Sequence, residues 1–388
     1  MPDVITYAAR WIFPVDAPPL ERGTITLRGD TIDAIDPPGT RTPDVDLGNV
    51  AILPGFVNAH THLDLTGARG QCPPTADFTQ WLRKVIAFRR AHTPTEVQAD
   101  IATGLAECLK FGTTLIGDIA SGGASWDRLA SAPCRAVVFH ELLGLSEERM
   151  RQSWQAARDW LAVQPSNGPC IPGLSPHAPY SVLSTQYSVL GGLSIPIATH
   201  LAETREELTL LHEHAGPFVD FLREMNVWHP AGLIDDVNDV VRRLPRGIFV
   251  HGNYLDPATP FSPTQSLVVC PRTHRAFGHA PHPFPCMKVR VALGTDSLAS
   301  NPDLDILAEA RFLRQHYREV APAAILRMLT QNGAEALGFG AVTGSLTTGK
   351  SADLVVLPLP NAEPSDPHDL VLDSDLPVQA TLFRSHWR

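Results

Sequence analysis

The chain has 388 residues, 44% of them hydrophobic, enough to bury one large core and a smaller second one. Its 31 Lys and Arg against 41 Asp and Glu leave a formal charge of −10, which excludes nucleic acid or an acidic membrane surface as the main partner. The six cysteines are scattered and include no C-x-x-C pair, which excludes a disulfide framework and the small deaminase zinc site that needs that pair.

The N-terminus, Met1-Pro2-Asp3, opens neither a basic nor an apolar leader. Every apolar run falls short of the roughly 20 residues of a membrane span. With reduced thiols, this reads as a cytoplasmic protein. Ile5–Phe13 and Gly23–Ile35 read as short β segments. Eight strand-length apolar runs follow, separated by helical periodicity: Ala51–Val57, Thr113–Gly117, Arg135–Phe139, Ile171–Ser175, Ile195–Thr199, Gly247–Val250, Ser266–Val269 and Val289–Gly294. Continuous apolar runs alternating with helices predict parallel strands buried on both faces, and eight of them predict a closed (β/α)₈ TIM barrel. After a helix around Pro322–Leu337, β character resumes at Gly344-Ser345-Leu346 and Ala352–Leu357. Residues 1–52 and 343–388 are therefore expected to form one small β-sandwich domain from both chain ends, with the barrel over 53–342.

Each run is followed by polar chemistry: His60 and His62, Asp118, His140 and Glu141, His177, His200, His251, Arg272 and His274, and Asp296. A barrel gathers all eight C-terminal strand ends on one face, where active sites sit. Two residues apart on an extended backbone, His60 and His62 project to one side, within reach of one metal. Asp64 could orient one of these imidazoles. His200 ends the fifth run and could supply a third nitrogen. Glu203 follows at a helix entrance, where Thr204 to Glu207 reads as the capping box T-x-x-E. Asp296 ends the eighth run, able to bind a metal and accept a proton from its water. His251 fits either a fourth nitrogen ligand or a hydrogen-bond donor to substrate. Imidazoles plus one carboxylate suit one divalent first-row ion, zinc before iron or manganese.

In combination and order, these motifs resemble the amidohydrolase superfamily, in its branch of adenosine-type and amidine deaminases with the chlorohydrolase-like proteins. The resemblance runs from Pro54-Gly55-Phe56-Val57-Asn58-Ala59-His60-Thr61-His62 through Ser175-Pro176-His177-Ala178-Pro179-Tyr180-Ser181 and Thr199-His200-Leu201-Ala202-Glu203-Thr204. It continues in His251-Gly252-Asn253, Cys270-Pro271-Arg272, Gly294-Thr295-Asp296-Ser297 and Gly349-Lys350-Ser351-Ala352-Asp353-Leu354. It implies that His60, His62, His200 and Asp296 bind the metal, that Glu203, His251 and Asp296 handle protons, and that His177 contacts the substrate. It also settles the role of His251 in favour of catalysis. The implied reaction is attack of metal-activated water on an amidine carbon, with release of ammonia. Relatives with two metals carry a bridging lysine at the fourth strand end; Ser175-Pro176-His177 has none, which implies one ion.

The segment Asp77–Arg90 predicts an amphipathic helix over the site, with Phe78, Trp81, Leu82, Val85 and Ile86 inward. Where the adenine-nucleoside deaminases carry a ribose-gripping Glu, it carries Arg83, Lys84, Arg89 and Arg90. Arginine pairs with carboxylates through two hydrogen bonds, so Arg89, Arg90 and Arg272, with Trp81, are expected to bind substrate. That suits an acid-bearing aminopurine nucleoside such as aminodeoxyfutalosine; solvated surface is the competing account of the basic face. Expected partners are a small-molecule substrate and a second copy in a homodimer, with neither nucleic acid nor membrane. The alternatives are another hydrolase on the same site, a chlorohydrolase or cyclic amidohydrolase, or a non-catalytic binding homologue.

Overall fold

The computed structural model describes residues 4–387. Eight parallel strands form one sheet in sequential order: β1 Phe56–Thr61, β2 Thr113–Ala120, β3 Arg135–Leu142, β4 Cys170–Pro176, β5 Ile197–Leu201, β6 Gly247–His251, β7 Ser266–Val269 and β8 Arg290–Leu293. Every residue of β2, β3, β5, β6 and β7 is buried, as the unbroken apolar runs demand of strands covered on both faces. The first and last strands meet through a parallel bridge between Thr61 and Asp296, where the N–H groups of Thr295 and Asp296 both donate to His60 O at 3.1 Å. The result is the expected (β/α)₈ barrel. Phe139 on β3 and Phe249 on β6 are fully buried, each stabilising the fold by about 1.5–3 kcal/mol.

Two compact units divide the chain. One holds the residues through Ala59, Ala106–Ile116 and the residues from Asp305 onward; the other holds His60–Leu105 and Gly117–Leu304. In the first, a four-stranded sheet (Val4–Ala8, Thr24–Arg28, Thr31–Asp36, Val45–Asp46) comes from the N-terminal segment alone. A six-stranded sheet mixes both chain ends, with Val50–Pro54 antiparallel to Leu354–Pro358 and parallel to Trp11–Ile12. Ile12, Ile25, Leu27, Ile52, Leu354 and Val356 share one apolar core, which makes the two sheets a sandwich.

The run Ala51–Val57, expected as one strand, is two. Val50–Pro54 belongs to the six-stranded sheet, and the barrel begins at Phe56. Pro54-Gly55 marks the break: a Cβ at Gly55 would lie 2.1 Å from Thr114 Oγ1, so only glycine fits where the chain changes sheets. Consequently His60 lies within β1 and His62 one residue past its end. Gly344-Ser345-Leu346 forms bends rather than a strand, and the expected helix over Pro322–Leu337 breaks at Thr330 into Pro322–Leu329 and Gln331–Ala336. No helix among the described residues is long and apolar enough to cross a membrane.

Candidate active site

The strand ends converge as a barrel requires. Ligand-capable atoms of His60, His62 and His200 lie within 4.8 Å of one another, as do those of His60, His251 and Asp296. Asp296 Oδ1 is 3.5 Å from His60 Nε2 and 3.6 Å from His62 Nε2. His200 Nε2 faces His62 Nε2 at 3.3 Å. Because His200 Nδ1 donates to His177 O at 2.8 Å, its Nε2 carries the lone pair. The Nδ1 and Nε2 atoms of His60 and the Nδ1 of His62 are buried without a hydrogen-bond partner among the described residues. Buried ring nitrogens left unpaired around one carboxylate are costly unless a cation fills the gap. This donor set fits one divalent first-row ion.

Three residues at this face adopt left-handed backbone: Ala202 (φ +50°), His251 (φ +68°) and Asp296 (φ +59°). Each costs about 1–2 kcal/mol, strain that persists only where neighbours over-determine it. Asp296 is tied to β1 through His60 O, and its Oδ2 accepts the Ser300 hydroxyl at 3.0 Å. His251 O accepts His282 Nε2–H at 2.7 Å, while His282 Nδ1 takes the Phe284 N–H at 2.9 Å.

Burial and neighbours push the carboxyls of Asp296 and Glu203 apart. Burial raises Asp296, but the approach of His60 and the neighbouring imidazoles outweigh it, leaving the carboxyl well below the usual range. Burial raises Glu203, and the charges of Asp296 and Glu207 raise it further, well above the usual range. Glu203 Oε1 is 3.5 Å from His251 Nε2, and burial lowers His251 to about 3, so this imidazole is neutral. His62 and His200 are likewise driven well down by burial and by their neighbours, which keeps them competent as ligands.

A small cavity of about 60 Å³ opens beside these groups. Its lining includes His62, His177, His200, Glu203, His251 and Asp296 on the strand side. The helix α1 (Phe78–Ala91) contributes Phe78, Trp81, Leu82, Val85 and Arg89. Asp77 caps α1 by accepting from Thr79 N and Gln80 N, and Phe78, Trp81, Val85 and Phe88 are buried at helical spacing. Trp81 Nε1 donates to Cys72 O at 3.0 Å. His177 Nδ1 donates to Ser181 Oγ at 2.7 Å, because that hydroxyl donates to Ala178 O.

Of the basic cluster, only Arg89 lines the cavity. Its two terminal nitrogens meet Asp64 at 3.2 Å and Glu141 at 3.3 Å, and its Nε has no hydrogen-bond partner among the described residues. Asp64 thus braces Arg89 rather than an imidazole. Arg83 pairs with Glu224 at 2.7 Å, Arg90 is exposed with Nη2 4.0 Å from Met225 Sδ, and Arg272 is held by Asp303 at 2.6 Å; none of the three lines the cavity. Sequence reading gave no role to Tyr180, and placed Glu141 only as a polar strand end, yet both line the cavity. For Glu141 the signal was its position at the end of the third strand. For Tyr180 the signal was its place in the motif Ser175-Pro176-His177-Ala178-Pro179-Tyr180-Ser181.

Residues 51–384 match the family described as the amidohydrolase family. The chain belongs to that family. It is 28% identical over 391 aligned positions to the 5-methylthioadenosine/S-adenosylhomocysteine deaminase of Moorella thermoacetica, covering 92% of this chain and 86% of that relative. Among solved structures, the Helicobacter pylori aminofutalosine deaminase in complex with methylthio-coformycin superposes with a TM-score of 0.85 at 22% identity, covering 99% of this chain and 100% of the other. A Xanthomonas campestris adenosine deaminase with bound zinc superposes at 0.81 and 22% identity, over 98% of this chain and 92% of the other. Family and relatives together identify a metal-dependent hydrolase of carbon–nitrogen bonds, a hydrolytic deaminase.

Proposed function

We propose that this amidohydrolase deaminates the 6-amino group of an aminopurine nucleoside, with one zinc ion held by His60, His62, His200 and Asp296. The observation that carries the reading is the convergence of His60, His62, His200 and Asp296 with Glu203 3.5 Å from His251, the Asp296 carboxyl held well down and the Glu203 carboxyl well up. One is ionised and able to take a proton at neutral pH; the other is protonated and able to give one. A pair split by its environment in this way divides base from acid.

A divalent ion in this donor set supplies Lewis acidity, enough to make water a nucleophile near neutral pH. Asp296 accepts the water's proton as the water attacks the amidine carbon. Glu203 gives its proton to the adjacent ring nitrogen, which relieves the charge that attack places there. His251, neutral and 3.5 Å from Glu203, orients that carboxyl and donates toward the developing oxyanion. Asp296 then passes its proton to the leaving nitrogen, and as the carbon–oxygen double bond forms the remaining hydroxyl proton returns to Glu203, which releases ammonia and restores both carboxyls. His177 and Trp81 contact the nucleoside, and Arg89 faces it from the helix wall of the cavity. With Asp64 and Glu141 compensating its charge, Arg89 acts on a substrate carboxylate by a directed hydrogen bond rather than by net attraction.

The test is ammonia release from adenosine, 5′-methylthioadenosine and an adenine nucleoside bearing a carboxylate, with metal content measured on the same preparation. Turnover of at least one, dependent on a zinc content of about one per chain, is expected. Turnover confined to chloro-heterocycles or cyclic amides would replace this reading with the rival hydrolase.

A further inference from the structure

Glu203 stands two residues past β5, directly after the left-handed Ala202, in a stretch that no strand pairing or helix holds. Its main chain is nevertheless fixed from both sides. The helix α2 (Arg205–Glu213) starts at Thr204, whose hydroxyl caps it by accepting Glu207 N at 3.1 Å. As the expected capping box requires, Glu207 returns to the backbone N–H of the cap residue Thr204. Its carboxylate also reaches past the cap, taking Ala202 N with one oxygen at 3.1 Å and Glu203 N with the other at 2.9 Å. On the opposite side Asn253 Nδ2 donates to Glu203 O at 2.9 Å. That amide is itself oriented, because its Oδ1 accepts His274 Nδ1–H at 3.0 Å.

Helix capping accounts for only part of what Glu207 does. Thr204 already supplies the cap, and Glu207 is 1% exposed, with backbone N–H groups as its partners and no cation among the groups acting on it. A carboxylate buried without a counter-ion is expensive, and an apolar residue would fill the same space at less cost. What this one does beyond the cap is gather two successive N–H groups and hold Ala202 in its strained conformation, which sets the direction in which Glu203 leaves the backbone. Asn253 ties the same peptide to the β6 end, two residues after His251, whose Nε2 is 3.5 Å from Glu203 Oε1.

We propose that Glu207 and Asn253 are positioning residues that clamp the Glu203 backbone at its N–H and its C=O and so hold the Glu203 carboxyl in register with His251 and the metal-binding cluster. This rests on the proton-transfer role proposed for Glu203.

The experiment is a double-mutant cycle on the zinc-loaded enzyme with an adenine nucleoside that it turns over. Glu207→Gln keeps the shape but sets an amide NH₂ against one of the backbone N–H groups. It should lower kcat by roughly 10- to 100-fold, with KM within about threefold and metal content unchanged. In a Glu203→Gln background the same change should add less than about twofold, because its effect is transmitted through a proton donor already removed. Asn253→Ala attacks the clamp from the other side and should show the same kcat-selective, masked loss, which keeps the test open if Glu207→Gln folds poorly. A loss that multiplies undiminished onto Glu203→Gln, a loss shared by KM and metal content, or no loss at all overturns the clamp. Glu203→Gln with near-normal kcat overturns the reading beneath it, and that outcome is seen separately in the single variant.

Discussion

The two walls of the cavity are built by different rules. On the strand side, His60, His62, His200, His251 and Asp296 stand at the ends of parallel strands whose register is fixed by hydrogen bonds, so they converge whatever the side chains prefer. On the helix side, four cations lie within eight residues of α1, and direction alone decides between them. Arg89 turns inward to Asp64 and Glu141, Arg83 turns to Glu224, and Arg90 stays exposed. A strand end in a closed barrel carries its function in its position. A helix residue carries it only in its angle and its partners.

The contrast is broken most severely by removing a strand-end imidazole. His200→Ala removes an imidazole whose tautomer is set by the main-chain carbonyl of His177. The expected outcome is loss of the bound ion by elemental analysis and activity at background. A variant that keeps both its ion and its turnover would remove His200 from the ligand set.

Glu203→Gln comes next. It should retain the ion, since Glu203 belongs to neither group of converging ligand atoms, while kcat falls by at least about 10²-fold. A metal-free Gln variant would make Glu203 a ligand instead of an acid.

The helix wall gives a smaller and more selective effect. Arg89→Ala should lower kcat/KM for an acid-bearing adenine nucleoside by about 10-fold more than for the neutral one, since only the acid accepts the Arg89 hydrogen bond. Arg83→Ala and Arg90→Ala should change both by less than about twofold, as exposed charges do. Equal losses for the acid and the neutral nucleoside in Arg89→Ala would leave Arg89 a brace for Asp64 and Glu141 alone.

The smallest effect concerns the support behind the strand side. Asp118 accepts Leu63 N–H at 2.8 Å and the Ser125 hydroxyl at 2.5 Å, bracing the chain just after His62. Burial raises its carboxyl from 3.8 to about 7. The folded state therefore holds this proton longer than the unfolded chain, and the stability it contributes at low pH is lost as pH rises through that window. Asp118→Asn has no such proton to lose. The Tm of the variant minus that of the wild type should become more positive between pH 3.8 and about 7 and level off above. An offset independent of pH would show that Asp118 titrates normally.

The sequence by itself determined the barrel and the chemistry of its rim. Unbroken apolar runs at strand length, alternating with helical periodicity, leave few folds that bury both faces of eight strands. Once the strands are parallel, residues such as His60, His200 and Asp296 must share one face, because strand polarity is written into chain order. Tertiary structure decided everything that depends on direction or on distant partners. The strand break at Gly55 turns on the approach of Thr114, and the inward turn of Arg89 turns on Asp64 and Glu141. Glu207 reaches past its own cap because Ala202 is left-handed and Asn253 holds the far side of the same peptide. Periodicity records which face a residue occupies. It holds no record of which groups from remote segments meet that face, and those meetings set the charge states and bearings on which catalysis runs.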